Sequence, residues 1–475
     1  MITDRRRPGP GDLSDTVLVS NRGPLAFRIE DGQPVATASG GGLAGSLHPL
    51  VEDSGATWVA CALSEADRVA GAAGMMSDDG LTIELVEPEP DLYSMAYNVV
   101  SNGTLWFCHH HLFDPARRPR ADRRWMEAWE AYREFNDMFA RTVAKVAPEG
   151  GRVLVQDYHL ALMGSTLTRL RPDLHTVHFT HTPFADPSEI RMLPTSVGTE
   201  LLAGMAGFGA RGFHTERWAA AYRQGVAQLG PDTAPSATGS VSTFASPLSS
   251  DPDRLRRSAD DPAVARARAR IEQQVGGSDR QVIVRVDRME LSKNLLRGFW
   301  AFEELLATEP HRRERVVFVA MAYPTRQGLP EYLAYQNEVE TTVDRINGRW
   351  GTPGWTPIVL DIEDDYQRSL AALTLYDVLL VNPVRDGMNL VAKEGSLINS
   401  RHGVLALSRE TGAFEELGAA VLEVNPFDVS GTAEVLSRAL DMDGGQRTAR
   451  ATELTSLILA RSPAGWLQDQ LDAAC

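Results

Sequence analysis

The chain has 475 residues and a formal net charge of −16, with 43% hydrophobic and 23% charged residues. This composition excludes collagen-like, disulfide-scaffold and wholly disordered proteins, and the length favours two domains because single cores rarely grow beyond about 250–300 residues. The negative charge argues against nucleic acid and anionic membranes as partners, so an anionic ligand has to be held by a local cluster of arginines and lysines.

Residues 1–15 are predicted to form a disordered arm. This segment is basic but has no apolar stretch behind its charges, so it is not expected to be a secretory signal. No run approaches the roughly 18 apolar residues that span a bilayer. The cysteines Cys61, Cys108 and Cys475 are scattered and odd in number, which suits a reducing compartment. We therefore expect a soluble, cytoplasmic protein.

Short β-branched runs alternate with longer helical patterns along the chain. Such runs are typical of strands buried on both faces, so the pattern predicts an α/β fold with parallel sheets. Helices are predicted over 122–146 and 331–346. Strands are predicted over 16–20, 152–156, 176–180, 281–286, 315–320, 377–384 and 403–407.

A connecting segment over 228–263 is rich in Ser, Pro, Asp and Gly. We therefore predict an N-terminal Rossmann-like domain over 16–240 and a C-terminal Rossmann-like domain over 241–445. A helical segment over 446–475 is expected to pack back toward the first domain. Ligands of open α/β sheets bind outside the carboxyl ends of the strands, so two doubly wound domains that face each other are expected to form a cleft.

The first candidate site follows the first strand, where Arg22 precedes a Gly-Pro turn and a run of glycines, Gly40 to Gly42, comes before a helical stretch. Glycines at a helix start let backbone N–H groups approach an anion closely, aided by the positive end of the helix dipole. The glycine run alone is more typical of a flexible surface loop. The Arg-Gly-Pro turn at the end of the first strand is the feature that adds support for an anion-binding loop.

The second candidate site lies at the ends of two successive strands, which Asp157 and His181 follow. Polar groups at neighbouring strand ends point into the same crevice. Asp157 could accept a proton or hold a sugar hydroxyl, and His181 could donate to an oxygen. Either side chain alone is as readily a structural cap or a core group, but their joint placement favours function.

The third candidate site follows the strand at 281–286, where Arg288 and Lys293 lie just beyond the strand end. Two fixed cations can neutralise a diphosphate leaving group without a metal ion. Solvated surface charges are the alternative explanation.

The fourth segment, 382–394, is the most specific, because a buried strand runs into a tight turn at Gly387 and then into a helix. The helix start offers free N–H groups to a phosphate. Asp386 at the turn can bind a sugar hydroxyl, and Glu394, about two helical turns further, can bind a ribose diol. The run His109 to His111 is not expected to bind metal, because adjacent residues do not share one face.

With these residues in place, the chain resembles the trehalose-6-phosphate synthase family, retaining glycosyltransferases with the GT-B fold. The resemblance extends from about residue 16 to 475. Its motifs are YNVVSNGTLW (97–106), GFHTE (212–216), RINGRWG (345–351), GWTP (354–357), RDGMNLVAKE (385–394) and VNPFD (424–428).

The resemblance implies a glucose 6-phosphate acceptor and a nucleotide-sugar donor. It assigns the acceptor phosphate to Arg22, Tyr97, Trp106 and Arg326, and the acceptor hydroxyls to Asp157. It assigns the donor diphosphate to Arg288 and Lys293, with Gly41 and Gly42 closing over it. It assigns the ribose to Glu394. It assigns the glucose to Asp386, to His181 and to the backbone that follows Asp386, at Gly387, Met388, Asn389 and Leu390. Asp157, His181, Arg288 and Lys293 form the predicted catalytic set.

The sequence departs from the family at a few of these positions. Asn294 stands where the family usually has glycine, Glu290 and Leu291 replace Asp-Tyr, and Gln156 occupies a place where histidine is common. The hinge segment 244–252 lacks the familiar Pro-x-Gly-Ile-Asp. Lys-Asn at 293–294 is also similar to the validoxylamine phosphate synthases, yet the acceptor and donor positions altered in those proteins are intact here.

The sequence therefore predicts a glucosyltransferase that uses UDP- or GDP-glucose and glucose 6-phosphate, with the nucleobase left open. The alternatives are a related transferase acting on a cyclitol phosphate or glycerol 3-phosphate, and a non-catalytic protein that binds sugar nucleotides. A nicotinamide-dependent dehydrogenase is disfavoured, because no GxGxxG follows the first strand of either domain. We expect no metal and no cofactor, and homo-oligomer formation stays open.

Overall fold

The computed structural model describes residues 11–30, 32–38, 42–72, 80–230, 242–277 and 279–475. The chain divides into two compact units, one formed by Met1–Ser246 with Pro463–Cys475 and the other by Pro247–Ser462. The predicted boundary at residue 240 and residues 1–10 of the predicted arm lie outside the described residues. Leu13, inside that arm, is buried, and its amide donates to the carbonyl of Ser54.

The strands in chain order are β1 (Thr16–Val19), β2 (Leu25–Glu30), β3 (Gln33–Ala38), β4 (Thr57–Cys61), β5 (Thr82–Val86), β6 (Arg152–Gln156), β7 (His175–Thr180), β8 (Ala210–Phe213), β9 (Thr243–Ala245), β10 (Gln281–Arg288), β11 (Val316–Tyr323), β12 (Ile358–Asp361), β13 (Val378–Val381), β14 (Val404–Ser408) and β15 (Leu422–Val424). They confirm the predicted strands, although the strand predicted over 377–384 ends at Val381 as β13, because Pro383 has no amide hydrogen to donate to a ladder.

The α-helices in chain order are α1 (Gly42–Val51), α2 (Glu65–Ala72), α3 (Pro90–Ser94), α4 (Trp106–His109), α5 (Arg123–Val146), α6 (Met163–Leu170), α7 (Pro187–Ile190), α8 (Thr195–Ala206), α9 (Glu216–Leu229), α10 (Pro252–Ala259), α11 (Pro262–Val275), α12 (Leu295–Thr308), α13 (Pro330–Trp350), α14 (Tyr366–Leu375), α15 (Leu390–Ile398), α16 (Ala413–Leu417), α17 (Val429–Leu440), α18 (Gly444–Leu459) and α19 (Pro463–Ala473). The two predicted helices are confirmed as α5 and α13.

The first unit contains a seven-stranded parallel sheet in the order β5-β4-β1-β6-β7-β8-β9, beside the antiparallel pair β2-β3. The strand order runs outward in both directions from β1 and β6. Ligands of such sheets bind where the order reverses, outside the carboxyl ends of the two central strands. Arg22 follows β1 and Asp157 follows β6, so both lie at this switch point.

The second unit contains a six-stranded parallel sheet in the order β12-β11-β10-β13-β14-β15. Its order reverses between β10 and β13. Arg288 ends β10, and the segment 382–389 connects β13 to α15. The same topological argument therefore places the third and fourth candidate sites together, at the carboxyl edge of this sheet.

Residues of the motifs at 345–357 secure the edge of the second sheet. The side chain of Asn347 donates from Nδ2 to the carbonyl of Ile358 at 2.9 Å and accepts from the amide of Ile358 at 2.9 Å, as a neighbouring strand would. The indole of Trp355 is buried and donates to the carbonyl of Val316 at 2.9 Å. These motif residues satisfy backbone groups that the end of the sheet would otherwise leave unpaired.

Helix α15 approaches strand β13 closely at Gly395, where an added Cβ would lie 2.6 Å from Cδ2 of Leu379 and 3.1 Å from Cδ2 of Leu373. We predict that Gly395→Ala lowers the free energy of unfolding by about 1–3 kcal/mol, because the packed core has to shift. Gly348→Ala in α13 meets no atom within 4 Å and should be neutral or stabilising by up to about 1 kcal/mol. Urea denaturation followed by tryptophan fluorescence measures both changes, and equal midpoints for the two variants would contradict the close approach.

Candidate active site

The loop after β10 is held in shape by a buried ion pair. Arg285 is fully buried, and its Nη2 donates to Oδ2 of Asp287 at 2.8 Å and to the carbonyl of Lys293 at 2.8 Å. A charged donor paired with both a carboxylate and a loop carbonyl fixes the backbone around Lys293. The cations of this loop therefore project from a rigid support.

Asn294 explains how this loop can differ from the family pattern. Its backbone is left-handed, with φ 60° and ψ 42°, a conformation that glycine and asparagine adopt most readily. Its side chain is buried, and Nδ2 donates to the carbonyls of Asn382 and Pro426 at 2.9 and 2.7 Å. Asparagine thus supplies the turn that glycine would allow, and it also ties the loop to the end of β13.

Lys293 and Asp386 form an ion pair at the carboxyl edge of the second sheet. Nζ of Lys293 lies 2.7 Å from Oδ2 of Asp386, with both side chains about one-sixth exposed. Burial alone would lower the pKa of Lys293, but Asp386, Asp287 and Glu290 outweigh it and raise that pKa above its usual value. The ammonium group is therefore charged at neutral pH.

Glu290 holds two arginines that the sequence had assigned to different substrates. Its Oε1 lies 3.1 Å from Nε of Arg288 and 3.7 Å from Nη1 of Arg326, and its side chain is 1% exposed. Glu290 raises the pKa of Arg288 above its usual value. Arg326 also donates from Nη1 to the hydroxyl of Tyr332 at 2.6 Å. The second unit therefore brings Arg326 to the same place as Arg288.

The turn before α15 carries most of the remaining residues that are predicted to bind the nucleotide-sugar donor. Nδ2 of Asn389 donates to Oδ2 of Asp386 at 3.1 Å, while its Oδ1 caps the helix by accepting from the amide of Ala392 at 3.1 Å. Gly387 and the buried Met388 complete the turn, and Leu390 begins α15. Asp386 is thus held from two sides before any ligand binds.

Glu394 lies on α15, one turn from the helix start. Its Oε1 accepts from Oγ of Ser250 at 3.5 Å. Burial raises the pKa of Glu394 to about 7, and Ser250 offsets this only in part. The carboxyl group is poised near neutral pH, where a hydroxyl-rich ligand could find either a donor or an acceptor.

In the first unit, Arg22 and Tyr97 lie around the switch point. Arg22 is exposed directly after β1, and the neighbouring Asn21 donates to the hydroxyl of Tyr93 at 3.3 Å. Tyr93 stacks on Tyr97, with ring centroids 5.1 Å apart, and Tyr97 stacks on His159 at 5.6 Å. This aromatic column brings Tyr97 toward the strand end that carries Arg22.

Tyr97 belongs to a π-helix over Met95–Leu105, an element that the sequence pattern does not predict. Helices of this kind are rare and concentrate at functional sites. Trp106, at the end of that segment, is 2% exposed, and its ring stacks on His110 with centroids 4.2 Å apart. Of the glycine-rich loop, Gly41 lies outside the described residues and Gly42 begins α1.

Asp157 and His181 meet at the ends of β6 and β7. Oδ1 of Asp157 accepts from the amide of His181 at 3.2 Å. Asp157 has φ 73° and ψ 165°, a backbone conformation that is strained for a residue with a side chain. Strain of this kind at a switch point favours a functional role for Asp157.

Both ring nitrogens of His181 have partners within the first unit. Nε2 lies 3.0 Å from Oε1 of Gln156, and Nδ1 lies 3.2 Å from Nε2 of His214. Burial, followed by the nearby His214 and His178, lowers the pKa of His181 well below its usual value. His181 is therefore neutral at physiological pH.

The described part of the chain contains no group of three or more His, Cys, Asp or Glu residues arranged to hold a metal ion. The histidines at 109–111 contact separate partners: His109 accepts from the amide of Ala185, and Nδ1 of His110 lies 2.8 Å from the carbonyl of Trp106. Among the described helices, none is both long and apolar enough to cross a membrane.

Comparison with known proteins identifies relatives along the whole chain. The model of glycosyltransferase family 20 matches residues 14–474. A trehalose-6-phosphate synthase of Mycobacterium sp. (strain KMS) is 34% identical over 483 aligned residues, which cover 98% of this chain and 96% of that protein. A trehalose-6-phosphate synthase of Mycobacterium leprae (strain TN) is 33% identical over 480 residues, covering 97% and 94%.

Solved structures agree with these relatives. An α,α-trehalose-phosphate synthase (UDP-forming) from Burkholderia vietnamiensis has a TM-score of 0.82 at 28% identity, covering 97% of this chain and 99% of that one. The E. coli structure bound with UDP-2-fluoro glucose has a TM-score of 0.82 at 26% identity, covering 97% and 98%. The Burkholderia xenovorans synthase in complex with glucose-6-phosphate has a TM-score of 0.82 at 27% identity, covering 97% of this chain and 99% of that one. The predicted GT-B fold is confirmed.

The raised pKa of Glu394 predicts a pH-dependent cost to stability. The folded state retains a proton that the unfolded state has released between pH 4.5 and about 7, so stability falls as the pH rises through this window. Glu394→Gln should remove this loss, which is at most about 3 kcal/mol. Urea denaturation at pH 5 and pH 8 measures the slope. The variant Glu453→Gln, at an exposed position, serves as control. If the free energy of unfolding changed equally with pH in wild type and in Glu394→Gln, the raised pKa of Glu394 would be contradicted.

Proposed function

Because this chain belongs to glycosyltransferase family 20, we propose that it transfers glucose from a nucleoside diphosphate glucose to glucose 6-phosphate and so forms trehalose 6-phosphate. The observation that supports this most directly is the cluster of Arg288, Lys293 and Arg326 around Glu290 and Asp386, at the switch point of the second sheet. Clustered cations at strand ends suit a diphosphate and a second phosphate.

The donor is proposed to bind the second unit. Arg288 and Lys293 hold the diphosphate. Asp386 and the backbone of Gly387, Met388, Asn389 and Leu390 hold the glucose, and Glu394 holds the ribose. The family resemblance also assigns Gly41 and Gly42 to the diphosphate and His181 to the glucose, and these assignments are part of the proposal. UDP-glucose and GDP-glucose are the candidate donors, and the UDP-forming relatives favour the first.

The acceptor is proposed to bind through its phosphate and its reacting hydroxyl. Arg22, Tyr97, Trp106 and Arg326 form the phosphate set, in which guanidinium forks match the phosphate oxygens. Asp157 holds the acceptor near its reacting position. Its carboxylate is fixed by the amide of His181, which limits the geometries that the acceptor hydroxyl can adopt.

Transfer with retention then requires little acid–base chemistry from the protein. The bond between C1 of glucose and the diphosphate oxygen breaks, the acceptor oxygen bonds to C1 on the same face, and the acceptor proton passes to the departing diphosphate. Arg288 and Lys293 stabilise the negative charge that grows on the diphosphate. The low pKa of His181 fits a hydrogen-bonding role and not that of a cationic acid.

A product assay tests the proposal. The protein is incubated with UDP-, GDP- or ADP-glucose together with glucose 6-phosphate, glycerol 3-phosphate or a cyclitol phosphate, and the products are weighed by mass spectrometry. We expect a phosphorylated disaccharide from glucose 6-phosphate that releases trehalose after phosphatase treatment. If no donor gave a product, the proposal would be refuted. If a product formed only with another acceptor, that acceptor would take the place of glucose 6-phosphate in the proposal.

Variants of two cations should separate donor chemistry from acceptor binding. Arg326→Ala should raise the KM for glucose 6-phosphate by roughly 10- to 100-fold, since a charge-assisted contact contributes about 1.5–3 kcal/mol. Lys293→Ala should mainly lower kcat, because the charge on the leaving group grows toward the transition state. The exposed Arg266→Ala in α11 is the control. Unchanged turnover in Lys293→Ala would show that the donor phosphates lie elsewhere.

A further inference from the structure

The connection between β11 and α13 holds Arg326 in a backbone conformation that is unfavourable for a residue with a side chain. Its φ is 49°, in the left-handed region that residues with a Cβ seldom occupy. Such a conformation costs free energy and persists only where surrounding contacts hold it. Gln327 and Gly328, which follow, are exposed. The contacts that hold Arg326 therefore have to come from its own side chain and from the start of α13, where the amide of Leu329 donates to the carbonyl of Arg326 at 2.9 Å.

Tyr332, in the first turn of α13, packs against the guanidinium group of Arg326. Its hydroxyl accepts from Nη1 of Arg326 at 2.6 Å, and Cζ of Arg326 lies 5.6 Å from the centroid of its ring. The direction of this bond is unambiguous, because a guanidinium group has N–H donors and no acceptor. Tyr332 is 2% exposed, and burial raises its pKa above the usual value, so the hydroxyl is neutral. Tyr332 therefore orients the guanidinium group without neutralising its charge.

We propose that Tyr332 is a positioning residue for the acceptor: it holds one edge of the Arg326 guanidinium group so that another edge meets the acceptor phosphate. This inference rests on the proposed function, in which Arg326 binds glucose 6-phosphate. Tyr332 and Glu290 both contact Nη1, one of three guanidinium nitrogens. Glu290 lies 3.7 Å away and balances charge, whereas the shorter bond to Tyr332 sets the orientation. A planar donor that is already oriented loses less freedom when an anion binds.

The test compares two tyrosines of one helix. Tyr332→Phe keeps the ring and removes the hydroxyl, and we expect the KM for glucose 6-phosphate to rise by roughly 3- to 20-fold, with kcat and the KM for the nucleotide-sugar donor unchanged. The matched control is Tyr335→Phe, which removes a buried hydroxyl that accepts from the amide of Leu295 at 2.8 Å. It should leave the KM for glucose 6-phosphate unchanged. Equal KM values for this acceptor in the two variants, or a fall in kcat alone in Tyr332→Phe, overturn the inference.

A double-mutant cycle shows whether Tyr332 acts through Arg326. In the Arg326→Ala background, Tyr332→Phe should raise the KM for glucose 6-phosphate no further, because the group that it positions is already absent. If the two substitutions raised this KM independently, Tyr332 would act by another route and the inference would be wrong.

NMR of ¹⁵N-labelled arginine side chains reports the orientation of Arg326 and requires no substrate. The Arg326 signals are assigned by their loss in Arg326→Lys. We expect rotation of its guanidinium group to be slow in the wild type and in Tyr335→Phe, and faster in Tyr332→Phe. Fast rotation in the wild type, or rotation unchanged in Tyr332→Phe, overturns the inference. Absence of product from the wild type refutes the proposed function instead, and the rotation measurement still decides whether Tyr332 orients Arg326.

Discussion

Charge balance at the carboxyl edge of the second sheet is the constraint on which the candidate site depends. Arg288, Lys293 and Arg326 would repel one another if they were gathered without compensation. Glu290 lies between the two arginines, and Asp386 pairs with the lysine. The carboxylates allow the cations to stay charged and close together in the absence of ligand. In the proposed binding mode, an incoming phosphate oxygen replaces a carboxylate contact of cations that are already partly desolvated, so little further desolvation is needed.

The same constraint explains the loop that carries these residues. A cation can stabilise a transition state only if it is already in place, because reorganisation during the reaction raises the barrier. The buried Arg285 binds the carbonyl of Lys293, and Asn294 ties the loop to the carbonyls of Asn382 and Pro426. Asn294 departs from the family pattern, yet its left-handed backbone preserves the turn. Asparagine in place of the family's glycine therefore preserves the backbone turn that positions Lys293.

The sequence was sufficient for features that depend on neighbours along the chain. Strands such as β6 and β10 are buried along most of their length, and residues that follow their ends, such as Asp157, could be placed at a sheet edge from strand order alone. The role of Glu290 could not be predicted, because its second arginine, Arg326, comes from a different βα connection. Nor could the partnership of Gln156 with Gln470, which lie 314 positions apart. Pairings of this kind are set by packing, which local pattern does not encode.

The two sheets use one topology for two kinds of chemistry. At the switch point of the second sheet the side chains are ionic, and their charges are matched within a few ångströms. At the ends of β6 and β7 in the first sheet, the side chains around Asp157 are amides and a histidine held neutral by burial. A retaining transfer that relies on its leaving group for proton acceptance needs stabilisation of charge on the diphosphate and orientation of a hydroxyl. Asp157, held by the amide of His181, is the group proposed to orient the hydroxyl, and the neutral side chains beside it add no cationic acid. The chemistry of each sheet edge therefore suits the part of the proposed reaction assigned to it.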